Sequence, residues 1–260
     1  MRKILCLDYD MTLYDHKANQ IPQSAIEALN QVRDQYKIVL ASGRYFNNSV
    51  NEHIKHSLHP DAIVHANGCV VEVDGVILHE AFLDDKLQES LIHFAVDHHL
   101  CMGGLYQGNW YSTNPEKLIA RWSAKGNKSL PPIQDAKELI GKKMYSLYLD
   151  DTVESAKMIE RTFPDIRAPI MSEKTGGADI IPRYTSKAFG VQVLLDYWKQ
   201  TFDDVIAIGD SMNDYELIKQ ASVGIAMGNA VSGLQEIADY ITTPIEQDGI
   251  RNALRYLKSI

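Results

Sequence analysis

The chain has 260 residues, 45% of them apolar and 23% charged, with 34 acidic against 26 basic side chains and a formal charge of −8. That excess excludes a general nucleic-acid binder, which needs a basic surface against phosphate backbones, but leaves small anionic substrates to the local field of a site. No apolar run reaches the ~20 residues of a membrane span, and the first one stops at Asp8, too short for a signal peptide.

Cys6, Cys69 and Cys101 are far apart and lack metal-ligand spacing, so reduced thiols and a cytoplasmic protein are expected. Lys3-Ile4-Leu5-Cys6-Leu7 reads as a buried parallel strand that runs into Asp8-Tyr9-Asp10-Met11-Thr12. Ser24 to Tyr36 reads as a helix with Ala25, Ile26, Leu29 and Val32 on one face, opened by a Ser24/Glu27 capping box. A strand at 38–41, a helix from about Tyr45 and a strand at 62–65 continue a βαβ rhythm, which implies a parallel sheet. Asp74-Gly75 between two valine-rich runs is a two-residue hairpin signal.

The rhythm then changes. A helix from Leu83 to His98, strands at 100–106 and 109–113 joined near Gln107-Gly108, and a helix from Pro115 precede a polar stretch, 124–134. A strand at 143–149, a helix at 152–162 and strands near 166–171 and 178–182 follow. Strands meeting as hairpins suggest a smaller antiparallel sheet with helices on one face. From Ser186 the βαβ order returns: a helix to Trp198, a strand at 205–208, a helix from about Asn213, a strand at 223–226 and a closing helix from Gly249. The expected architecture is an α/β core of residues 1–82 and 184–260 with an inserted α+β domain at 83–183.

Four segments lie at predicted strand ends or a helix start: Asp8-Tyr9-Asp10-Met11-Thr12, Ala41-Ser42-Gly43-Arg44, Ser186-Lys187, and Gly209-Asp210-Ser211-Met212-Asn213-Asp214. In open α/β sheets ligands sit at the carboxyl ends of the strands, so these acids face a site. Unpaired buried carboxylates cost several kcal/mol each, which points to a divalent cation. Phosphate-monoester hydrolysis requires a barrier reduction on the order of 20 kcal/mol, of which positioning supplies ~7–11 kcal/mol. Charge stabilisation must supply much of the rest. A carboxylate nucleophile splits the displacement into two steps, a second carboxyl moves the proton, and a hard cation on oxygen ligands screens the nucleophile from a dianion.

In this order the four segments resemble the haloacid dehalogenase superfamily, and the long insertion resembles its Cof-type phosphatases with a type IIB cap. Asn67-Gly68, the run from Gly224 to Ala230, and Asp248-Gly249 resemble further Cof-type features. The resemblance covers essentially the whole chain. It implies a Rossmann-like core with a cap at 83–183, and magnesium as cofactor. It makes Asp8 the nucleophile and Asp10 the acid/base. Tyr9 (through its amide), Ser42, Gly43, Lys187 and Asn213 would hold the phosphate. Asp8, the Asp10 carbonyl and Asp210 would hold the metal, with Asp214 either beside it or paired with Lys187. Tyr9 departs from the small or apolar residues common between the two aspartates, and its side chain is expected to crowd the site. An aspartate at position 10, where related ATP-driven pumps carry threonine, implies hydrolysis or phosphomutase chemistry.

Plainer alternatives stand beside these. Each acid pair could cap a helix or occupy a turn, Ser42-Gly43 could be an N-cap, and Lys187 could be a solvated first-turn lysine. His53, His56 and His59 invite a metal, but their spacing drifts around a helix and Pro60 ends the segment, so a solvated surface is expected. His98-His99 reads as a helix end. Tyr106, Trp110, Tyr111, Arg121 and Trp122 are read mostly as packing, with one or two expected to choose the leaving group. The expected partner is a small phosphate ester such as a sugar phosphate, nucleotide or phosphorylated cofactor. A sugar phosphomutase and a non-catalytic phosphometabolite binder are the alternatives. No feature specifies an oligomeric state.

Overall fold

The computed structural model describes residues 2–48, 51–124, 126, 130–171 and 176–260, the side chains of residues 52, 53 and 56 excepted. His53 and His56 of the histidine series therefore lie outside the described side chains, and parts of the helix expected from about Tyr45 and of the 124–134 stretch lie outside the described residues. In chain order the elements begin β1 (Lys3–Leu7), α1 (Gln23–Val32), β2 (Tyr36–Ala41), α2 (Glu52–Leu58), β3 (Ala62–His65), β4 (Val70–Val73) and β5 (Val76–Glu80). Next come α3 (Asp85–Asp97), β6 (Met102–Tyr106), β7 (Asn109–Ser112), α4 (Pro115–Ala124), β8 (Ile133–Asp135), β9 (Leu147–Asp150), α5 (Val153–Thr162), β10 (Ile166–Arg167) and β11 (Gly177–Pro182). The chain closes with α6 (Lys187–Trp198), β12 (Val205–Gly209), α7 (Tyr215–Gln220), β13 (Val223–Ala226), α8 (Ser232–Gln235), β14 (Tyr240–Ile241) and α9 (Gly249–Tyr256). Two compact units result: Met1–Phe46 with His53–Glu80 and Thr185–Ile260, and Asn47–Glu52 with Ala81–Tyr184.

The first unit holds the strand order β14-β13-β12-β1-β2-β3-β4-β5, parallel up to β3 and antiparallel from there. Both faces are covered, which is why β1 is apolar at nearly every position. Leu5 and Leu7 pack with Ala28 and Leu29 of α1 and Leu254 of α9, while Ile4 and Cys6 pack with Val191 and Leu194 of α6. The period-two alternation of the strand thus feeds two cores at once. Asp74 and Gly75 both take positive φ (49° and 79°), the backbone that a tight two-residue hairpin demands.

The second unit holds the order β10-β11-β9-β6-β7-β8 over one core that includes Leu91 and Ile92 of α3, Ile159 of α5 and Leu149 of β9. Its β7–β8 pair is parallel, against the all-antiparallel expectation.

Several expectations need correction. α1 starts at Gln23 after Pro22 and has no side-chain cap, so Ser24 and Glu27 form no capping box. Proline lacks an N–H and has φ preset for helix initiation, and it moves the start ahead of the serine. The helix also stops at Val32, because Tyr36 already belongs to β2. Ile26 is only half-buried, and Ala28 takes its place on the inner face. The helix expected from Tyr45 begins at Glu52, and the one expected from Asn213 begins at Tyr215 after a 3₁₀ turn, Met212–Asp214. The strand expected at 166–171 covers only Ile166–Arg167.

Candidate active site

The end of β1 leads directly into Asp8, whose amide donates to Ile208 O of β12 (3.0 Å), so the acid continues the strand register. Asp8 is buried, as are Ser42 past β2 and Asp214 past β12. Lys187, the first residue of α6, has a fully buried side chain, and its Nζ donates to Asp8 Oδ1 (2.5 Å) and Asp214 Oδ1 (2.7 Å). That excludes a solvated first-turn lysine. Asp214 is further held because its Oδ2 accepts the amides of Asp210 (3.1 Å) and Ser211 (3.2 Å). A Cβ on Gly209 would sit 2.4 Å from the Asp214 carboxyl carbon, so glycine is what lets this acid fold back beneath the strand end.

Carboxylate oxygens of Asp8, Asp210 and Asp214 lie within 4.8 Å of one another. Burial raises Asp8 to about 7; Lys187 opposes the shift, and Asp214 and Asp10 add to it. Burial also raises Asp210 well above the ordinary range, with Asp8 and Asp214 pushing the same way. Burial alone would strip the Lys187 proton, yet Asp214 and Asp8 raise its pKa instead. Three carboxylates therefore face one ammonium. Asp214 is committed to that lysine and two amides, and the charge of Asp8 and Asp210 is left over. A compact set of hard oxygens with uncompensated negative charge fits a divalent cation such as magnesium. Thr12 Oγ1 donates to Asp210 Oδ1 (3.2 Å) and holds one of those oxygens in place.

Asp10 behaves differently. Burial works against its charge, but hydrogen bonds from His16 and Arg44 win and hold it down to about 2. Arg44 donates through Nε to Oδ2 (2.8 Å) and through Nη2 to Oδ1 (2.6 Å), and His16 Nε2 lies 2.7 Å from Oδ1. Its side chain is thus engaged by Arg44 and His16, which leaves its carbonyl for the metal-holding role. The Tyr9 side chain does not crowd the site: it is buried in the core, stacked on Tyr14 (5.3 Å) and edge-on to Phe46 (5.7 Å). Alternation at a strand end sends residue 9 to the opposite side from its neighbours, leaving its amide for a ligand.

Ser42 Oγ accepts the Arg44 amide (3.1 Å) with Gly43 between them, so this loop is tied locally as a turn. Asn213 accepts from Ser211 Oγ (2.7 Å) and donates to Asn67 Oδ1 (3.0 Å). Asn67 is a site neighbour that the residue pattern alone did not assign. It sits among three consecutive positive-φ residues, Ala66, Asn67 and Gly68 (46°, 54° and 91°). A Cβ on Gly68 would meet Ser186 O at 2.1 Å, so this turn packs directly against the start of α6 that carries Lys187. Asn229 Nδ2 donates to Met11 O (2.8 Å) and its Oδ1 accepts Ile245 N (2.9 Å), which ties the loop after β13 to the Asp8–Thr12 loop. The Asn67-Gly68 and Asn229 signals were visible in the sequence. Arg44 was visible only as a neighbour of Ser42, and His16 carried no signal at all.

In the second unit Trp110 and Trp122 meet edge to face (5.2 Å), and Tyr111 is buried in the core with Tyr106 packed beside it. Arg121 Nε and Trp122 Nε1 both donate to Asp150, each at 2.9 Å.

Over residues 5–254 the sequence matches the family described as haloacid dehalogenase-like hydrolase. It is 28% identical to YkrA of Bacillus subtilis (strain 168), covering 98% of this chain and 97% of that one. It is 24% identical to 5-amino-6-(5-phospho-D-ribitylamino)uracil phosphatase YitU of the same strain, covering 97% and 96%. The solved structure of the subclass IIB sugar phosphatase BT4131 superposes with a TM-score of 0.86 over 99% of this chain and 100% of that one, at 22% identity, and so shares its fold.

Proposed function

We propose that this chain, which belongs to the haloacid dehalogenase-like hydrolases, is a phosphatase of their IIB type that hydrolyses small phosphorylated metabolites with magnesium, through an aspartyl phosphate on Asp8. The observation that carries this reading is Lys187, buried and shared between Asp8 and Asp214, beside the surplus charge of Asp210. A lysine so placed fixes the Asp8 carboxylate and presents positive charge to an incoming phosphoryl group.

In this reading Asp8 attacks phosphorus, and Asp10 gives a proton to the leaving oxygen and then takes one from the attacking water. Arg44 and His16 keep Asp10 ionised while no substrate is present. A phosphoryl dianion next to it raises its proton affinity by like-charge repulsion, so that it can act as the acid. Ser42, Lys187, Asn213 and the amides of Tyr9 and Gly43 hold the phosphoryl oxygens. Asp8, Asp210 and the Asp10 carbonyl would hold the metal, and Asp214 serves chiefly by fixing Lys187. Magnesium when bound screens the negative nucleophile from the dianionic ester. The second unit, with boundaries near 83 and 183, acts as the cap that reads the leaving group, and Trp110 and Tyr106 are candidates for that task.

The substrate class is a sugar phosphate, nucleotide or phosphorylated cofactor precursor. The names of YitU and BT4131, a phosphoribitylamino-uracil phosphatase and a sugar phosphatase, support that range. The test is phosphate release across a panel of such esters, with and without magnesium, in wild type and Asp8→Asn. Release that requires both magnesium and Asp8 is expected. Full activity of Asp8→Asn in EDTA would overturn the reading.

A further inference from the structure

Asp10 is gripped by His16, six residues further along its own loop, and by Arg44 from the segment after β2. The flat guanidinium of Arg44 meets both carboxylate oxygens (2.8 and 2.6 Å), which sets the plane of the carboxylate as well as its position. His16 adds a third contact to Oδ1 (2.7 Å) from the other side of the loop. Neither partner is free to drift. The Arg44 guanidinium lies over the Tyr9 ring (5.2 Å), its amide bonds Ser42 Oγ, and its carbonyl accepts Ala66 N (2.9 Å). His16 stands edge-on against Tyr14 (5.2 Å, 83°). Tyr9 and Tyr14 are stacked on each other (5.3 Å, 15°), and Phe46 meets Tyr9 edge to face (5.7 Å). One aromatic platform therefore carries both residues that hold Asp10. It also accounts for a bulky residue between the two aspartates: Tyr9 is the seat of Arg44.

We propose that Arg44 and His16, seated on the Tyr9–Tyr14 stack, are positioning residues that aim the Asp10 carboxyl at the leaving-group oxygen. The inference rests on the reading of Asp10 as the acid/base. Aim matters in proportion to how much the leaving group needs a proton. An alkoxide leaves only with general-acid help, whereas p-nitrophenolate leaves without it. Loss of aim therefore appears as a change in leaving-group preference. A residue that acts only through folding or phosphate affinity slows both esters together.

The experiment compares kcat and KM for a sugar phosphate turned over by the wild type and for p-nitrophenyl phosphate, with magnesium present, in four variants. Asp10 also serves both esters alike as the base of the second step, so the comparison is made on kcat/KM, which covers only the steps up to departure of the leaving group. Arg44→Met is expected to lower kcat/KM on the sugar phosphate by about 100-fold and on the nitrophenyl ester by less than about 5-fold, the scale on which misplacement of a catalytic group is felt. Arg44→Lys restores the charge but not the fork, and recovers part of the difference. His16→Asn and Tyr14→Leu shift the ratio the same way by smaller factors. Retained nitrophenyl turnover reports that each variant is folded. An unchanged ratio of the two kcat/KM values in Arg44→Met overturns the proposal. If that variant does not fold, an unchanged ratio in His16→Asn, which alters a half-exposed side chain, does so instead. Failure of the underlying reading has a different signature: no phosphate release by the wild type from either ester, or release undiminished in Asp8→Asn.

Discussion

Each unit buries a knot of carboxylates against cations, and the two knots are built to opposite rules. In the second unit Asp150 and Asp151 face Arg121 and Lys117. Asp150 accepts from Arg121 and Trp122, and Asp151 accepts from Lys117 (2.6 Å), the Cys101 amide, the Thr152 amide and Ser155 Oγ. Two acids meet two cations, and the carboxylate oxygens have donors. Burial alone would raise the Asp151 pKa, but the bonds from Lys117, the Cys101 amide and Ser155 lower it. In the first unit, among the described residues, Asp8, Asp210 and Asp214 share one ammonium, that of Lys187, and burial wins at Asp8 and Asp210. A balanced cluster stabilises a fold. An unbalanced one is held in place by the rest of the fold so that something outside the chain can balance it.

This contrast can be broken in several ways. The largest expected effect is on turnover: Asp8→Asn lowers kcat by about 10³-fold or more, because no remaining group replaces the nucleophile. Phosphate-release kinetics measure it, and beryllofluoride, a mimic of the aspartyl phosphate, should bind the wild type and not the variant. Next in size, Asp150→Asn should cost about 2–4 kcal/mol in urea unfolding, since breaking a buried pair strands its partner. It should leave any magnesium-induced stabilisation intact. The same exchange at Asp210 has the opposite sign in the chelated protein: it removes surplus charge, so Tm should hold or rise. Magnesium at about 100-fold over its Kd should add about 2.7 kcal/mol to the wild type and little to Asp210→Asn. If Asp210→Asn and Asp150→Asn destabilise the chelated protein equally, the distinction between the clusters fails.

The most gradual effect is a pH dependence. Asp8 rises from an ordinary 3.8 to about 7 in the folded chain, so between those values the native state binds more protons than the unfolded one. Stability in EDTA should therefore fall as pH rises through that window and level off above it. Asp10, held at about 2, contributes the reverse, a loss only as pH drops below its ordinary range toward 2. Magnesium should flatten the upper window, because bound cation removes the penalty on ionised Asp8. Urea titrations with and without magnesium across pH 2–8 would measure both.

Much of the fold was legible because its signals are local. The Asp74-Gly75 hairpin, the strands Ala62–His65 and Val223–Ala226, and the helix starting at Gly249 have the expected boundaries. Boundaries slipped where a neighbouring residue overrode a local pattern, as Pro22 overrode Ser24. The parallel β7–β8 pair and the two-residue β14 left no periodic trace, being too short to show alternation. At the candidate site Asp8, Lys187, Asp210 and Asp214 could be named from the order of four short segments. The direction in which Tyr9 points, the Asn67 to Asn213 contact and the grip of His16 on Asp10 could not, because each joins residues through space or depends on a loop whose path has no repeat.

What the order of residues settled unaided is the chemistry on offer: two acids past the first strand, a hydroxyl past the second, a lysine opening a helix and two further acids past a later strand. These depend on residue type and on periods of two and 3.6, which sequence carries directly. The partition of charge waited for the folded chain. Which acids Lys187 neutralises, which are left for a cation, and which one Arg44 and His16 claim are matters of a few ångströms between segments up to about 200 residues apart. Electrostatic energy falls with distance and rises with burial. Neither quantity exists until the sheet has brought those strand ends together.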